Sequence, residues 1–409
     1  MNYVKCARCI DCGAELEAAP DITLCPHCGG LLDIEYDYEA LKQDVNRDTF
    51  ARRSEPTLWR YAELLPVYPQ VAALMIERGL LVGNSPLYQA DRLAKEIDVA
   101  QLFVKDDGQN PTASMKDRAS AMAVAKALEA NRQVIACSST GNAASSLAGN
   151  AARAGLETYI FVPERAPKGK IAQLLIFGAH VFCVQGDYGA TFRLSARAIE
   201  KFGWYNRNAA INPYLLEGKK TVAYEIAEQL GWQVPDYVAM SVGDGCSLAG
   251  LWKGFFDLYK TGLIQRLPQL ISVQAGGCCP INTAYASGQP LQPCAENTVA
   301  DSIAVGVPRN AKKALTAIKA SNGVVVNVSD EEIFAAMRLL GRTTGVFGEP
   351  AGVAALAGIQ KARKLELIPQ SCSVAYVVTG NGLKDVANGI QAAGQPRLVD
   401  PEIPLESLL

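Results

Sequence analysis

From about Leu80 onward the chain repeats one pattern: a short run of β-branched or aromatic residues, a turn rich in Gly, Ser or Asn, then an Ala-rich stretch. Strands that alternate with helices in this way pair in parallel, because each crossover returns the chain to the same end of the sheet. The expected strands are Leu102–Lys105, Val134–Cys137, Thr158–Val162, Val181–Gln185, Tyr237–Val242, Leu270–Gln274, Val324–Val328 and Ala375–Val378. Helices are expected over Ala119–Leu128, Thr221–Leu230, Asp330–Leu340 and Ala351–Ala362, with Ser329 as an N-cap and Glu332 closing its capping box. The fold class is therefore α/β with doubly wound parallel sheets. In such sheets ligands bind in the turns that follow the strands, so those turns are where chemistry is sought. No repeat of fixed period and no low-complexity tract interrupts the pattern.

At 409 residues the chain exceeds what one core serves, and two to three domains are expected. Hydrophobic residues at 49% against charged residues at 20% give the balance of a packed protein. Lys and Arg number 39 against 41 Asp and Glu, so no general attraction to nucleic acid or to an anionic membrane is expected, and the partner is a small molecule. The doublets Lys219-Lys220 and Lys312-Lys313 read as solvated surface. MNYVKCARC lacks the basic-then-apolar run of a secretory signal, and the nearest apolar stretch, 133–152, is broken by Ser138, Ser139, Thr140, Gly141 and Asn142. Twelve cysteines without an export signal point to reduced thiols and metal ligation in a cytoplasmic protein rather than to disulfides.

Cys9-x-x-Cys12-Gly13 and Cys25-x-x-Cys28-Gly29 form two knuckles, each able to aim two thiolates at one tetrahedral ion while Gly permits the tight turn. Four thiolates leave no open coordination position, so Cys9, Cys12, Cys25 and Cys28 are expected to hold a structural zinc in an N-terminal ribbon. Cys6, which lacks a following Gly, and His27 read as bystanders. The vicinal pair Cys278-Cys279 stays undecided between packed interior and redox-sensitive thiols, buried and inert thiols being the commoner case.

Asn110-Pro-Thr-Ala-Ser-Met-Lys116-Asp-Arg118 leaves a strand through a polar turn and opens an Ala-rich helix. A lysine so placed is partly desolvated, which lowers its pKa and suits Schiff-base formation. Three further turns sharpen the reading. The segment 138–142, SSTGN, offers backbone N–H groups and hydroxyls to a carboxylate at a helix start. Gly243 and Gly245, in SVGDGCS, let backbone amides close around a phosphate, and Thr379-Gly380-Asn381-Gly382 ends the last strong strand.

Together these segments resemble the threonine synthase family of fold-type II pyridoxal-phosphate enzymes, over about Gly83 to Asp385, and a zinc-ribbon extension occurs in some members. NPTASMKDR is similar to that family's NPTGSFKDR, and the resemblance implies that Lys116 is the Schiff-base lysine of pyridoxal 5'-phosphate and the general base. It places Asn142 against the cofactor's phenolic oxygen, and Ser139, Thr140 and Gly141 at the substrate carboxylate. It puts Gly243, Asp244, Gly245, Cys246 and Ser247 around the cofactor phosphate and the Thr379 hydroxyl against the pyridine nitrogen, a contact that favours elimination over transamination. Glu349-Pro350-Ala351 is similar to the family's EPA helix start, which can be purely structural. The implied architecture is a zinc ribbon (1–35), a large cofactor-binding domain (36–124 and 220–409) and a small mobile domain (125–219) of the tryptophan synthase beta-like kind, in a homodimer.

The family's substrate-phosphate pattern N-S-V-N-P-x-R-x-E-G reads AAINPYLLEG here, which puts Ala209, Ala210 and Leu215 at its gripping positions. Its A-T-A-I-R-I-G reads ADSIAVG, with Ala304 where an Arg might stand. Losing a guanidinium that forks onto phosphate removes a charge-assisted contact. Either phosphate is held from elsewhere, with Lys168, Lys170, Lys219 and Arg309 as candidates, or the substrate is a different small amino acid. The expected reaction is α-proton abstraction and elimination or replacement, O-phosphohomoserine to threonine and phosphate in the family. The alternative is β-replacement or deamination of a serine-type substrate, as in cysteate synthase or threonine dehydratase. A catalytically dead docking protein is a third class, against which the retained Lys116 speaks.

Overall fold

In the computed structural model, which describes residues 3–139, 141–164, 168–186, 188–208 and 211–408, all eight expected strands form within two residues of their expected limits. Val4–Cys9 (β1), Glu15–Leu16 (β2) and Leu32–Tyr36 (β3) make a small antiparallel sheet in the order β2-β1-β3. Leu87–Gln89 (β4), Gln101–Asp106 (β5), Tyr237–Ser241 (β10), Gln269–Ala275 (β11), Val324–Val328 (β12) and Ser373–Val378 (β13) form a six-stranded sheet in the order β12-β11-β10-β13-β5-β4. Val134–Ser138 (β6), Glu157–Pro163 (β7), His180–Val184 (β8) and Tyr205–Asn206 (β9) form a parallel sheet in the order β8-β7-β6-β9. Helices cover both faces of the large sheet, so β10, β11 and β13 are nearly continuous buried runs rather than alternating ones. The parallel expectation needs one correction, since β4 pairs antiparallel with β5 at the sheet edge.

Strand order reverses beside β10 in the large sheet and beside β6 in the small one. The crevices outside the carboxyl ends at such reversals are where α/β sheets receive ligands. The helix Lys116–Glu129 begins three residues before its expected start, which puts Lys116 at its first position. Ser329 and Glu332 form the expected capping box, with Ser329 N–H donating to Glu332 Oε2 at 2.7 Å.

The ribbon is seated on the rest of the molecule by polar contacts. Tyr205 and Tyr214 hydroxyls donate to the carbonyls of Pro20 and Ala19, and Asp33 accepts from Lys253 and Lys313. The lysine doublets are accordingly not the solvated surface they resembled. Lys219 and Lys220 are buried, Lys220 pairs with Glu217 and Asp257, and Lys313 reaches the ribbon; Lys312 alone stays largely in solvent, bonded to Asp11. For Lys220 and Lys313 the reason is pairing with acids that come at least in part from distant segments, Asp257 and Asp33, which no local pattern announces. Cys278 is buried, 3.8 Å from Cys294 Sγ, and Cys279 is half-buried. No helix among the described residues is long and apolar enough to cross a membrane.

Candidate active site

The turn that carries Lys116 is held from three sides. Asp117 is buried and accepts from Thr112 N–H and hydroxyl, both at 2.7 Å, and from Asn150 Nδ2 at 3.0 Å. Arg118 is buried next to it and forks onto Asp107 and Glu225, with Nε–Oδ2 2.7 Å and Nη1–Oε1 2.5 Å. Bidentate pairing of this kind fixes orientation as well as charge. Met115 N–H donates to Thr379 O at 2.9 Å and Asn381 N–H to Ala113 O at 3.0 Å, so the end of β13 is stitched to the lysine turn. Ala113 takes φ +66°, a conformation that glycine adopts without cost.

Lys116 opens into a cavity of about 590 Å³, within the size range of small-molecule sites. Ser139, Gly141, Asn142, Gly243, Asp244, Gly245, Cys246, Ser247 and Thr379 all line it too, so the turns singled out in the sequence converge on one space. Thr140 lies outside the described residues, as do Ala209 and Ala210 and the side chains of Lys168 and Lys170. Ala304 and Arg309 reach the cavity, and Arg309 stacks over Phe192 at 4.1 Å. Leu215 is fully buried in the core and does not line it. A second cavity of about 290 Å³, between Trp59, Arg60 and Ala72, contains none of the expected site residues.

Burial first, then the positive charges of Lys219 and Arg207, bring Lys116 down to about 8, with Cys246 and Glu349 pulling the other way. Its amine is therefore available in neutral form near physiological pH. On the opposite wall, Gly245 at φ +91° turns the chain into the helix Cys246–Lys260. The first turn of a helix has N–H groups with no intrahelical acceptor, which together with the glycine turn makes an anion cradle. Asp244 is engaged through both oxygens, Oδ1 accepting from Arg309 N–H at 2.6 Å and Oδ2 from the Cys246 thiol at 3.5 Å. Burial pushes the Cys246 thiol up to about 11, so it adds no negative charge. An amine with a low pKa sharing one cavity with an anion cradle fits a phosphorylated carbonyl cofactor.

Sequence reasoning missed Arg207, Asn208, Glu296 and Asp301, and underweighted Glu349 and Lys219, all of which line the cavity. Glu349 Oε1 accepts from Asn142 Nδ2 at 2.7 Å, so the EPA helix start does more than begin a helix. Arg207 and Asn208 follow β9, a strand of two residues. Recognising that strand would have flagged the turn after it.

At the N-terminus, the sulfurs of Cys9, Cys12, Cys25 and Cys28 lie within 4.8 Å of one another, with Cys9–Cys28 at 3.5 Å and Cys12–Cys25 at 3.7 Å. A tetrahedron of zinc–sulfur bonds has an S···S edge of roughly 3.8 Å. Gly13 and Gly29 follow the knuckles at φ +77° and +72°. Cys6 and His27 lie outside the cluster, Cys6 against Glu35 and His27 in solvent.

The family pattern described as "Pyridoxal-phosphate dependent enzyme" matches residues 79–380. Threonine synthase of Methanosarcina acetivorans is 39% identical over 97% of this chain and 96% of its own length. That of Methanocaldococcus jannaschii is 39% identical over 95% of each. Among solved structures, diaminopropionate ammonia lyase from Escherichia coli superposes with a TM-score of 0.68 at 18% identity, over 85% of this chain and 95% of that one. The processed form of threonine deaminase isoform 2 from Solanum lycopersicum gives 0.66 at 20%, over 82% and 89%. At such identities these two speak for the fold alone.

Proposed function

The chain belongs to the pyridoxal-phosphate-dependent enzymes and, within them, to the threonine synthase family, and from that premise we propose that it converts O-phosphohomoserine and water to threonine and phosphate. It is a pyridoxal-phosphate-dependent lyase of the threonine synthase kind, and this reading is favoured over a serine-type substrate. The observation that carries it is the end-to-end likeness to threonine synthase. The part of the chain left uncovered by the Methanosarcina acetivorans enzyme is shorter than the ribbon, so the likeness is not confined to the two larger sheets.

Pyridoxal phosphate, when bound, supplies the electron sink that lets a bond at the substrate's α carbon break. Lys116 would hold it through Nζ, and the N–H groups of residues 243–247 would hold its phosphate. Asn142, oriented by Glu349, and Thr379 would contact the ring from its two edges. Ser139, Thr140 and Gly141 would take the substrate carboxylate. Once the substrate amine has replaced it, the Lys116 amine accepts the α proton and returns protons later in the sequence; its low pKa keeps it competent for both at neutral pH. The buried Arg118–Asp107–Glu225 cluster keeps that amine in register.

Cys9, Cys12, Cys25 and Cys28 are read as ligands of a structural zinc, which their donor set and spacing support. Residues 125–219, which contain the whole four-stranded sheet, are read as the mobile unit, 1–35 as the ribbon, and 36–124 with 220–409 as the cofactor-binding domain. The balanced charge supports the absence of a nucleic-acid partner, and the likeness to the threonine synthases supports reading the protein as a cytoplasmic homodimer.

The test is to supply the cofactor-loaded protein with O-phosphohomoserine, with O-phosphoserine, serine and threonine in parallel, and to follow phosphate and threonine. Equal amounts of both from O-phosphohomoserine are expected. Turnover of a serine-type substrate with none of O-phosphohomoserine would overturn the reading.

A further inference from the structure

Two cations near Lys116 are more deeply buried than any solvated role allows. Lys219 is 2% exposed and Arg207 1%, yet both line the cavity. Arg207 donates from Nε and Nη2 to Ser120 Oγ at 3.2 and 3.1 Å, which orients the guanidinium without neutralising it. Among the described residues neither cation is in an ion pair, and Lys219 has no hydrogen-bond partner. No carboxylate of the cavity is within ion-pair distance of them; Asp244 acts on Lys219, and Asp117 on Arg207, only from farther away. Asp244 is taken by Arg309 N–H, Glu296 by Gly306 N–H, Asp301 by Ser302 and Glu349 by Asn142.

A buried charge with no counter-charge is costly, and it persists where a ligand supplies the partner. The ligand is a multiply charged anion, because two cations face one space already supplied with a helix N-terminus. Lys219 stands four residues after Leu215 in the helix Tyr214–Lys219, and residues four apart share a helix face. Leu215 fills the core where the resembled pattern carries arginine, and one turn further along the same face a lysine enters the cavity. Lys219 Cβ stands 3.2 Å from where a side chain at Gly250 would begin, a tight approach of the two helices. Lys219 therefore runs beside the first turns of the helix Cys246–Lys260.

We propose that Lys219, backed by Arg207, is a side-chain grip for a phosphate monoester dianion, in addition to the backbone cradle at residues 243–247. The proposal rests on reading the substrate as a phosphate ester, which makes Lys219 the group that replaces the lost arginine as the determinant of substrate class. The cofactor carries the same chemistry, and the experiment separates the two sources.

The variants are Lys219→Gln, with Lys219→Met as the uncharged replacement should Gln not fold, and Lys219→Arg as the conservative one. If the substrate's phosphate is held, Lys219→Gln raises KM for O-phosphohomoserine and the inhibition constant of inorganic phosphate together, each at least tenfold. In that case kcat falls less, and Lys219→Arg restores most of the loss. If the cofactor's phosphate is held, the inhibition constant stays and the cofactor-free protein loses at least tenfold of its preference for pyridoxal phosphate over unphosphorylated pyridoxal. Either result supports the grip and assigns its ligand. Both quantities unchanged within twofold would overturn it. Should the wild-type protein ignore O-phosphohomoserine, the proposed reaction falls, while inorganic phosphate binding, read from the cofactor's absorbance, and the pyridoxal comparison still decide on Lys219.

Discussion

Ala113 sits three residues before Lys116 in a left-handed conformation, where the resembled pattern carries glycine. An L side chain there costs roughly 1–2 kcal/mol, and glycine gives back about 0.4–1 kcal/mol through its freer unfolded chain. Ala113→Gly is therefore expected to stabilise the protein by about 0.5–1 kcal/mol, read as a higher urea midpoint with an unchanged slope. Lys116 supplies a second prediction at this scale. Its pKa of about 8 lies below that of a free lysine, so the neutral amine that attacks a carbonyl grows as pH rises through that value. The rate at which the cofactor-free protein takes up pyridoxal phosphate should climb up to about pH 8 and level above it. Lys219 and Arg207 depress this pKa, while Cys246 and Glu349 raise it. Lys219→Gln should thus move the midpoint upward; a rate still climbing past pH 10 in the wild type would contradict the buried setting of Lys116.

The ribbon is the element whose local stability and long-range contacts are most entangled. Its three strands are short, and a unit of this size has little core of its own. Through Pro20 and Ala19 it holds Tyr205 and Tyr214, which flank the segment carrying Arg207 and lead the helix carrying Lys219. A Cys25→Ser/Cys28→Ser variant is expected to lose about one equivalent of zinc by metal analysis and to melt on the order of 5 °C lower. The same variant should raise KM for the substrate more than it lowers kcat. A ribbon that merely decorates the surface would lose the metal and leave both kinetic constants alone.

Over the whole molecule, the strands that the sequence declares are runs of five or more residues rich in β-branched or aromatic side chains, such as Val324–Val328. Leu87–Gln89 and Tyr205–Asn206 are too short to show any period, and both were missed. That the turns at Lys116 and at residues 243–247 line one cavity was legible because their glycines, hydroxyls and position after a strand form a local signal. Arg207 and Lys219 were illegible for the opposite reason. A cation's burial depends on what the rest of the chain wraps around it, and Lys219-Lys220 is indistinguishable in sequence from an exposed doublet. The four cysteines needed no such context, since their spacing alone brings the sulfurs together.

The seating of the ribbon also sets an order of events during synthesis. Asp33 is translated 220 residues before Lys253, and Ile10 is followed only 302 residues later by Lys312, whose ammonium it accepts. At ~5–20 residues per second the ribbon leaves the ribosome some tens of seconds before the surface that receives it exists. For that interval its three short strands and four sulfurs must keep it from being mistaken for an unfolded segment. A part of the chain made early is thus among the last to be docked.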